Sequence, residues 1–349
     1  MDLRMGLVGF GAWGAHHARA IAQTAGTKLV GIATPSPESR QAAGREFPDV
    51  EVFSDYKDLL SEKDLDVIDI VVPTHLHEEI AVASLSAGKH VLLEKPMALD
   101  GQGCDRILAA ARESGKMLNV AHEFRFSVQW GAIKKYIDQG RLGSPLYLLI
   151  NLWRRPYRFG RGGWRRDINK VGSWILEEPI HFFDLALWYF QGLGDPSSIF
   201  ALANSRGLEE GFYDNFSAVI RWDNGSYAVI SQTLGGFEHH KIVELVGTKG
   251  AVRSWWSGAM DRATESTYGM KIIEGLKGGE VFEDCVPEEA RLEGQSGEIF
   301  ELRDLLQKLI RSIESGKPVV AGEEARKCTM LCRYGEESAR SGKEIPVRF

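Results

Sequence analysis

Cysteine is scarce in this sequence. Cys104, Cys285, Cys328 and Cys332 are spread irregularly over 349 positions, which argues against a disulfide framework or a zinc ribbon and points to a reducing cytoplasm. Long apolar runs are missing too: no uninterrupted stretch reaches the ~18 residues that a membrane-crossing helix needs. Residues 1–14 lead straight into a strand and a glycine turn, without the charged segment, apolar stretch and small-residue cleavage site of an export signal. The chain is therefore expected to stay in the cytoplasm. Nor is there a block of one charge. The 42 Lys and Arg and 48 Asp and Glu are interspersed, for a net charge of −6, which argues against nucleic acid or an anionic membrane as partner. Internal repeats and low-complexity tracts are also absent.

What is present is 44% hydrophobic residue in a chain longer than one core usually serves, so two domains are expected. Residues 4–10, 28–33, 67–72 and 90–93 read as strands and residues 15–24, 36–46, 78–87 and 100–114 as helices. That alternation predicts a parallel sheet. The runs at 5–10 and 67–72 are nearly all apolar, as strands covered on both faces require. Past residue 123 the texture changes. Phe126, Trp130, Ile133 and Ile137 fall at helical spacing, and a Gly- and Pro-containing stop follows at 140–145. Strand-like runs at 146–153, 198–202, 215–222, 226–232 and 241–246, with turns at 223–225 and 247–250, predict an antiparallel sheet with helices on one side. Helices over about 298–315 and 325–341 close the chain. The expected boundaries are 1–123 for a dinucleotide-binding domain and 124–349 for a substrate-binding and oligomerisation domain.

Gly9-Phe10-Gly11-Ala12-Trp13-Gly14 reads G-x-G-x-x-G, follows a predicted strand and opens a predicted helix. That is the context in which glycines let the backbone turn tightly and approach a pyrophosphate at a helix N-terminus. Where the second strand ends, Thr34 stands at the position from which an acidic side chain would grip the 2′-hydroxyl of NAD. Without that carboxylate a 2′-phosphate is not repelled, and Ser36 and Arg40 are available to bind it, so NADP is expected over NAD. The competing reading makes Ser36 a helix cap and leaves Arg40 in solvent.

Further motifs carry a resemblance. Residues 71–77, Val-Val-Pro-Thr-His-Leu-His, residues 87–96, Ala-Gly-Lys-His-Val-Leu-Leu-Glu-Lys-Pro, and residues 247–250, Gly-Thr-Lys-Gly, resemble the Gfo/Idh/MocA oxidoreductases, related to glucose-fructose oxidoreductase and inositol dehydrogenase. The likeness covers nearly the whole chain. It implies an α/β fold: an N-terminal Rossmann parallel sheet and a C-terminal α+β domain with a large, mostly antiparallel open sheet. It also implies oxidation or reduction of hydroxyls on sugars, cyclitols and related small molecules, and cofactor contacts from Pro73, Thr74, His77, Glu94 and Lys95. Arg125 aligns with an arginine of the family that touches cofactor or substrate.

Oxidising a secondary alcohol requires a base for the hydroxyl proton while hydride leaves the same carbon. His181 is the candidate, in a segment (177–184, Glu-Glu-Pro-Ile-His-Phe-Phe-Asp) that looks like a helix start with proline in its first turn. Glu177 and Asp184, four before and three after, are expected on the same helical face, where either could orient the ring. Glu177 occupies the place where the family carries an aspartate. Lys95, at the carboxyl end of a strand, is expected to steady the reacting oxygen. Trp164 and Arg165, like Trp153 to Arg155, offer a ring and guanidinium forks suited to a polyhydroxylated substrate. His75 with His77, His16 with His17, and His239 with His240 lack the further ligands that would complete a metal site, so no metal is expected.

Two other functions are compatible with these motifs. One is a glycoside hydrolase that uses transient oxidation by a bound nicotinamide, and the other is a non-enzymatic dinucleotide sensor. Lys95, Glu177 and His181 together argue against the sensor, which needs no proton relay. A large sheet covered on one side predicts a homo-oligomer, a dimer or tetramer.

Overall fold

The alternation over residues 3–121 folds, in a computed structural model describing residues 2–62, 64–206, 211–275 and 285–349, into a six-stranded parallel sheet. Its elements are β1 (Leu3–Val8), α1 (Ala12–Gln23), β2 (Thr27–Ala33), α2 (Pro37–Glu46), β3 (Glu51–Phe53), α3 (Tyr56–Leu60), β4 (Val67–Ile70), α4 (His77–Ser86), β5 (His90–Glu94), α5 (Gly101–Ser114) and β6 (Leu118–Ala121). The strand order is β3-β2-β1-β4-β5-β6, so the order reverses between β1 and β4, where doubly wound sheets bind their ligands. All four residues of β4 and of β6 are buried, which explains their nearly continuous apolar sequence.

The chain divides into two compact units. The first contains Met1–His122 together with Phe159–Gly172 and Leu302–Thr329. The last of these segments extends the β6 edge: Val120 N donates to Val320 O (3.2 Å) and the Asn119 side chain accepts from Val319 N (2.7 Å). The middle segment carries a 3₁₀ turn (Arg161–Arg166) and α7 (Ile168–Val171).

The second unit contains Glu123–Arg158, Ser173–Glu301 and Met330–Phe349. It is built on a nine-stranded sheet of order β14-β13-β12-β11-β7-β10-β9-β8-β15. The strands are β7 (Pro145–Trp153), β8 (Ser198–Asn204), β9 (Asn215–Arg221), β10 (Tyr227–Thr233), β11 (His239–Gly247), β12 (Gly250–Gly258), β13 (Ser266–Glu274), β14 (Glu288–Glu289) and β15 (Ile345–Pro346). Buried and less buried residues alternate along β9, β10 and β11, the mark of a sheet with one covered face. The sheet is mostly antiparallel, and β7 and β10 pair in parallel. The helices are α6 (Trp130–Asp138), α8 (Pro179–Tyr189), α9 (Glu298–Ser315) and α10 (Gly322–Ser341), the last two partly in each unit. Phe126 does not share a helix with Trp130. It ends a separate 3₁₀ turn, Glu123–Phe126, so the helical spacing expected from 126 onward begins only at 130.

No helix among the described residues is long and apolar enough to cross a membrane.

Candidate active site

The residues expected to do the chemistry fall into two groups, one in each unit. In the first unit the glycine turn joins β1 to α1. Gly9 has φ of +103°, and a Cβ there would lie 2.1 Å from Val71 O. A Cβ at Gly14 would lie 2.0 Å from Gly9 O, whereas one at Gly11 would meet no protein atom within 4 Å. Gly9 and Gly14 are thus glycines for the fold, and Gly11 is a glycine for whatever approaches the helix. Gly11 is also the N-cap of α1, which has no side-chain cap and no acidic residue in its first turn. Gly11 and Ala12 are exposed, and Phe10 is buried behind them. Unscreened amide groups at the positive end of a helix, approachable because a side chain is missing, fit a dinucleotide pyrophosphate.

At the end of β2, Thr34 is buried and its N–H donates to Phe53 O. Ser36 caps α2, its hydroxyl accepting from Ser39 N. Arg40 Nη1 donates to Thr34 O (3.2 Å) and Pro35 O (2.6 Å). Sequence reasoning missed Arg161, whose guanidinium donates to the Ser36 hydroxyl and lies 3.7 Å from Glu38.

After β4, Pro73 caps a 3₁₀ turn containing the buried Thr74. His77 is buried, with Nδ1 2.7 Å from Pro96 O and Nε2 2.9 Å from Val72 O. Burial holds it below its ordinary pKa, and both nitrogens face the chain itself, so it braces the loop against the Glu94-Lys95-Pro96 turn and leaves no ring nitrogen directed at a ribose. Lys95 follows β5 and is half-buried, and the Lys95–Pro96 peptide is cis. Glu94 Oε1 accepts from Trp13 Nε1 (2.9 Å) and Oε2 from Lys95 N (3.2 Å). This ties the strand end to the glycine helix. Trp164 and Arg165 also belong to this first unit, with the guanidinium 4.9 Å from the indole centroid.

In the second unit α8 starts with Pro179 at its first turn and is buried over most of its length. His181 lies in that turn, stacked on Phe124 with centroids 4.3 Å apart and ring planes 18° from parallel. A carboxylate that the sequence did not point to lies beside it: Glu123 Oε1 is 3.6 Å from His181 Nε2. Asp184 instead accepts both arms of Arg125, Nε at 2.8 Å and Nη2 at 2.7 Å. Arg125 is thus tied to α8 through Asp184. Glu177 is buried in the turn ahead of α8. The four-residue helical spacing to His181 does not apply there, because the helix begins only at Pro179. Glu178, Arg154, Lys241, Glu298 and Asp261 form a buried charge network beneath this helix start. Burial pushes Glu298 up to about 8. Lys241 Nζ sits 4.3 Å from the Phe124 centroid, on the ring that stacks on His181. Arg154, expected on a ligand-facing surface, is thus committed to Glu178 and Asp261.

Comparison with known proteins adds the lineage. Residues 3–122 match the oxidoreductase family with NAD-binding Rossmann fold, and residues 130–253 match the Gfo/Idh/MocA C-terminal domain. An inositol 2-dehydrogenase of Salmonella typhimurium is 34% identical over 149 residues, 42% of this chain and 44% of that protein. The chain thus spans less than half the length of that relative. An uncharacterised oxidoreductase of Bacillus subtilis is 30% identical over 257 residues, 70% of this chain and 72% of that protein. The WlbA dehydrogenase from Bordetella pertussis, solved with NADH and UDP-GlcNAcA, superposes over all of both chains with a TM-score of 0.80 at 25% identity. With both domains matched and the fold shared from end to end, the chain belongs to the Gfo/Idh/MocA family of NAD-binding oxidoreductases.

Proposed function

We propose that this chain is a cytoplasmic dehydrogenase or reductase acting on a secondary CH–OH of a sugar, cyclitol or similar polyhydroxylated molecule. The observation that carries the reading is the Glu94-Lys95-Pro96 turn, bound through Glu94 to the helix that opens at the glycine turn. It puts an ammonium-bearing side chain on the framework of the nucleotide site. A bound nicotinamide supplies the two-electron hydride acceptor or donor. His181 accepts the hydroxyl proton on oxidation and returns it on reduction, its ring held by Phe124 and faced by Glu123. Lys95 donates a hydrogen bond to the reacting oxygen and favours its alkoxide character. Glu177 and the ring–guanidinium pair of Trp164 and Arg165 bind substrate hydroxyls.

The test is a panel of cyclitols, aldoses, uronates and their keto or lactone forms, incubated with either cofactor and followed at the absorbance of the reduced nicotinamide. Lys95→Ala is expected to lower kcat roughly 100- to 1,000-fold with an unchanged melting temperature. A near-normal rate in that variant removes Lys95 from the chemistry. Glycoside cleavage without net cofactor reduction would favour the hydrolase reading.

NADP is the proposed preference. Position 34 carries no carboxylate, and two guanidiniums, of Arg40 and Arg161, attend the Ser36 corner. Arg161→Ala is then expected to lower kcat/KM with NADP by roughly tenfold or more and to leave NAD little changed. Equal losses with both cofactors would count against the assignment. A second copy of the chain is the proposed partner, on a sheet surface that exposes Trp153, Leu202 and Tyr227. Its measurement is the mass in solution.

A further inference from the structure

His17 lies outside every role assigned above. It sits one turn after Trp13 on the same face of α1, and it is fully buried. Nδ1 is 2.7 Å from Asp69 Oδ2, in the middle of β4, and Nε2 is 3.1 Å from Glu94 Oε1, at the end of β5. Both ring nitrogens therefore face carboxylates, and only a ring protonated on both can donate to each. Burial alone would lower the pKa of the ring, but Asp69 and Glu94 outweigh it and carry it up to about 10. Glu94 is held as a carboxylate below its ordinary value: burial works against this, and His17 overcomes it.

A buried ionic trio is a costly way to fill space between a helix and two strands, since apolar side chains of similar volume usually do as well or better. What an apolar filling could not do is aim Glu94. With Oε1 held by His17 and Trp13, the other oxygen points at the backbone N–H of Lys95. The chain of contacts runs Asp69, His17, Glu94, Lys95, from the middle of the sheet to the residue that meets the substrate oxygen in the reading above.

We propose that His17 is a positioning residue, whose doubly bonded ring orients Glu94 and through it the backbone turn that presents Lys95. The inference rests on the proposed role of Lys95, and its test separates the two. His17→Leu donates to neither side and leaves two buried carboxylates without their cation. His17→Leu/Asp69→Leu removes one of those charges and so offsets the loss of stability while leaving Glu94 Oε1 held by Trp13 alone. In the double variant the melting temperature is expected to return towards wild type and NADH affinity to stay within roughly threefold, while kcat remains down by roughly 10- to 100-fold. KM for the polyol moves less than kcat.

A second readout needs no substrate. Acylation of Lys95 by an amine-reactive ester, followed by mass spectrometry, is expected to change by roughly threefold or more in both variants, with the exposed Lys28 as unchanged reference. If kcat recovers together with melting temperature in the double variant, or if Lys95 acylates as in wild type, His17 is only a buried charge and the proposal falls. If the wild type turns over no member of the panel, the functional reading fails, and the acylation comparison still decides whether His17 positions Lys95.

Discussion

The same substitution made at three glycines of one turn should give three different outcomes. Alanine at Gly11 adds a methyl group that meets no protein atom within 4 Å, on a backbone with φ of −85° that alanine adopts freely. Folding stability should be unchanged to within about 0.5 kcal/mol. The methyl group instead occupies the approach to the first amides of α1. Losing one hydrogen bond to a charged pyrophosphate costs about 1.5–3 kcal/mol, a weakening of NADH binding of roughly 10- to 150-fold. Alanine at Gly14 places its Cβ 2.0 Å from Gly9 O, a backbone atom that can give way only if the turn moves. Overpacking of that kind costs about 1–3 kcal/mol, or roughly 2–12 °C of melting temperature for a unit of this size. Alanine at Gly9 suffers a similar clash, at 2.1 Å from Val71 O, and in addition a φ of +103°, which adds about 1–3 kcal/mol. Thermal melts and a nicotinamide-fluorescence titration of the three proteins read both quantities. Should Gly11→Ala bind NADH within twofold of wild type, the reasoning that places the pyrophosphate at this helix is wrong.

Arg125→Met leaves Asp184 buried without its cation and should destabilise the second unit by about 3–5 kcal/mol, most of it recovered in Arg125→Met/Asp184→Leu; chemical denaturation of the single and double variants measures it, and a loss under 1 kcal/mol in the single variant contradicts the buried pairing. The pH dependence of stability should carry the mark of His17. Its folded-state pKa is raised from 6.5 to about 10 by Asp69 and Glu94 against the opposing effect of burial. A raised group contributes its full stabilisation below 6.5 and loses it as pH rises towards 10. The melting temperature of the wild type should therefore fall more steeply between pH 7 and 10 than that of His17→Gln, and parallel curves would show that the ring is not charged in the folded state.

Much of the fold could be read from side-chain pattern because the pattern reports burial directly. Strands β1, β2, β4 and β5 are short, mostly apolar runs between helices, and most of their residues are buried. The three residues of β3 and five of α3 are too few to show any period. Strand β13 escaped for another reason: Gly269 sits where a Cβ would lie 2.4 Å from the Trp255 ring, so a residue that reads as a turn is there to admit a tryptophan from β12. At the site, residues whose role follows from neighbours in sequence were legible, such as the glycines and the Glu94-Lys95-Pro96 turn. Residues whose role follows from neighbours in space were not. Glu123 lies 58 positions before His181 in the chain, and no spacing rule links a 3₁₀ turn to the start of α8. Asp69 did leave a signal. A carboxylate in the middle of a strand covered on both faces must have a buried partner, and that requirement points to a basic side chain on a neighbouring helix. Weighing His16 and His17 only as a metal pair passes over it.

The β6 edge has a consequence for how the protein is made. Asn119 finds its acceptor role at Val319, 200 positions further along, and Val120 waits for Val320. A nascent chain that has emerged only as far as the end of this strand has all the parallel strands of the nucleotide fold but not the late segment that covers their margin. Such long-range closure is slow and leaves apolar surface open in the interim. Synthesis must run past residue 320 before this sheet margin can be completed, and a chain stopped short of it presents an open margin to chaperones rather than a free-standing cofactor module.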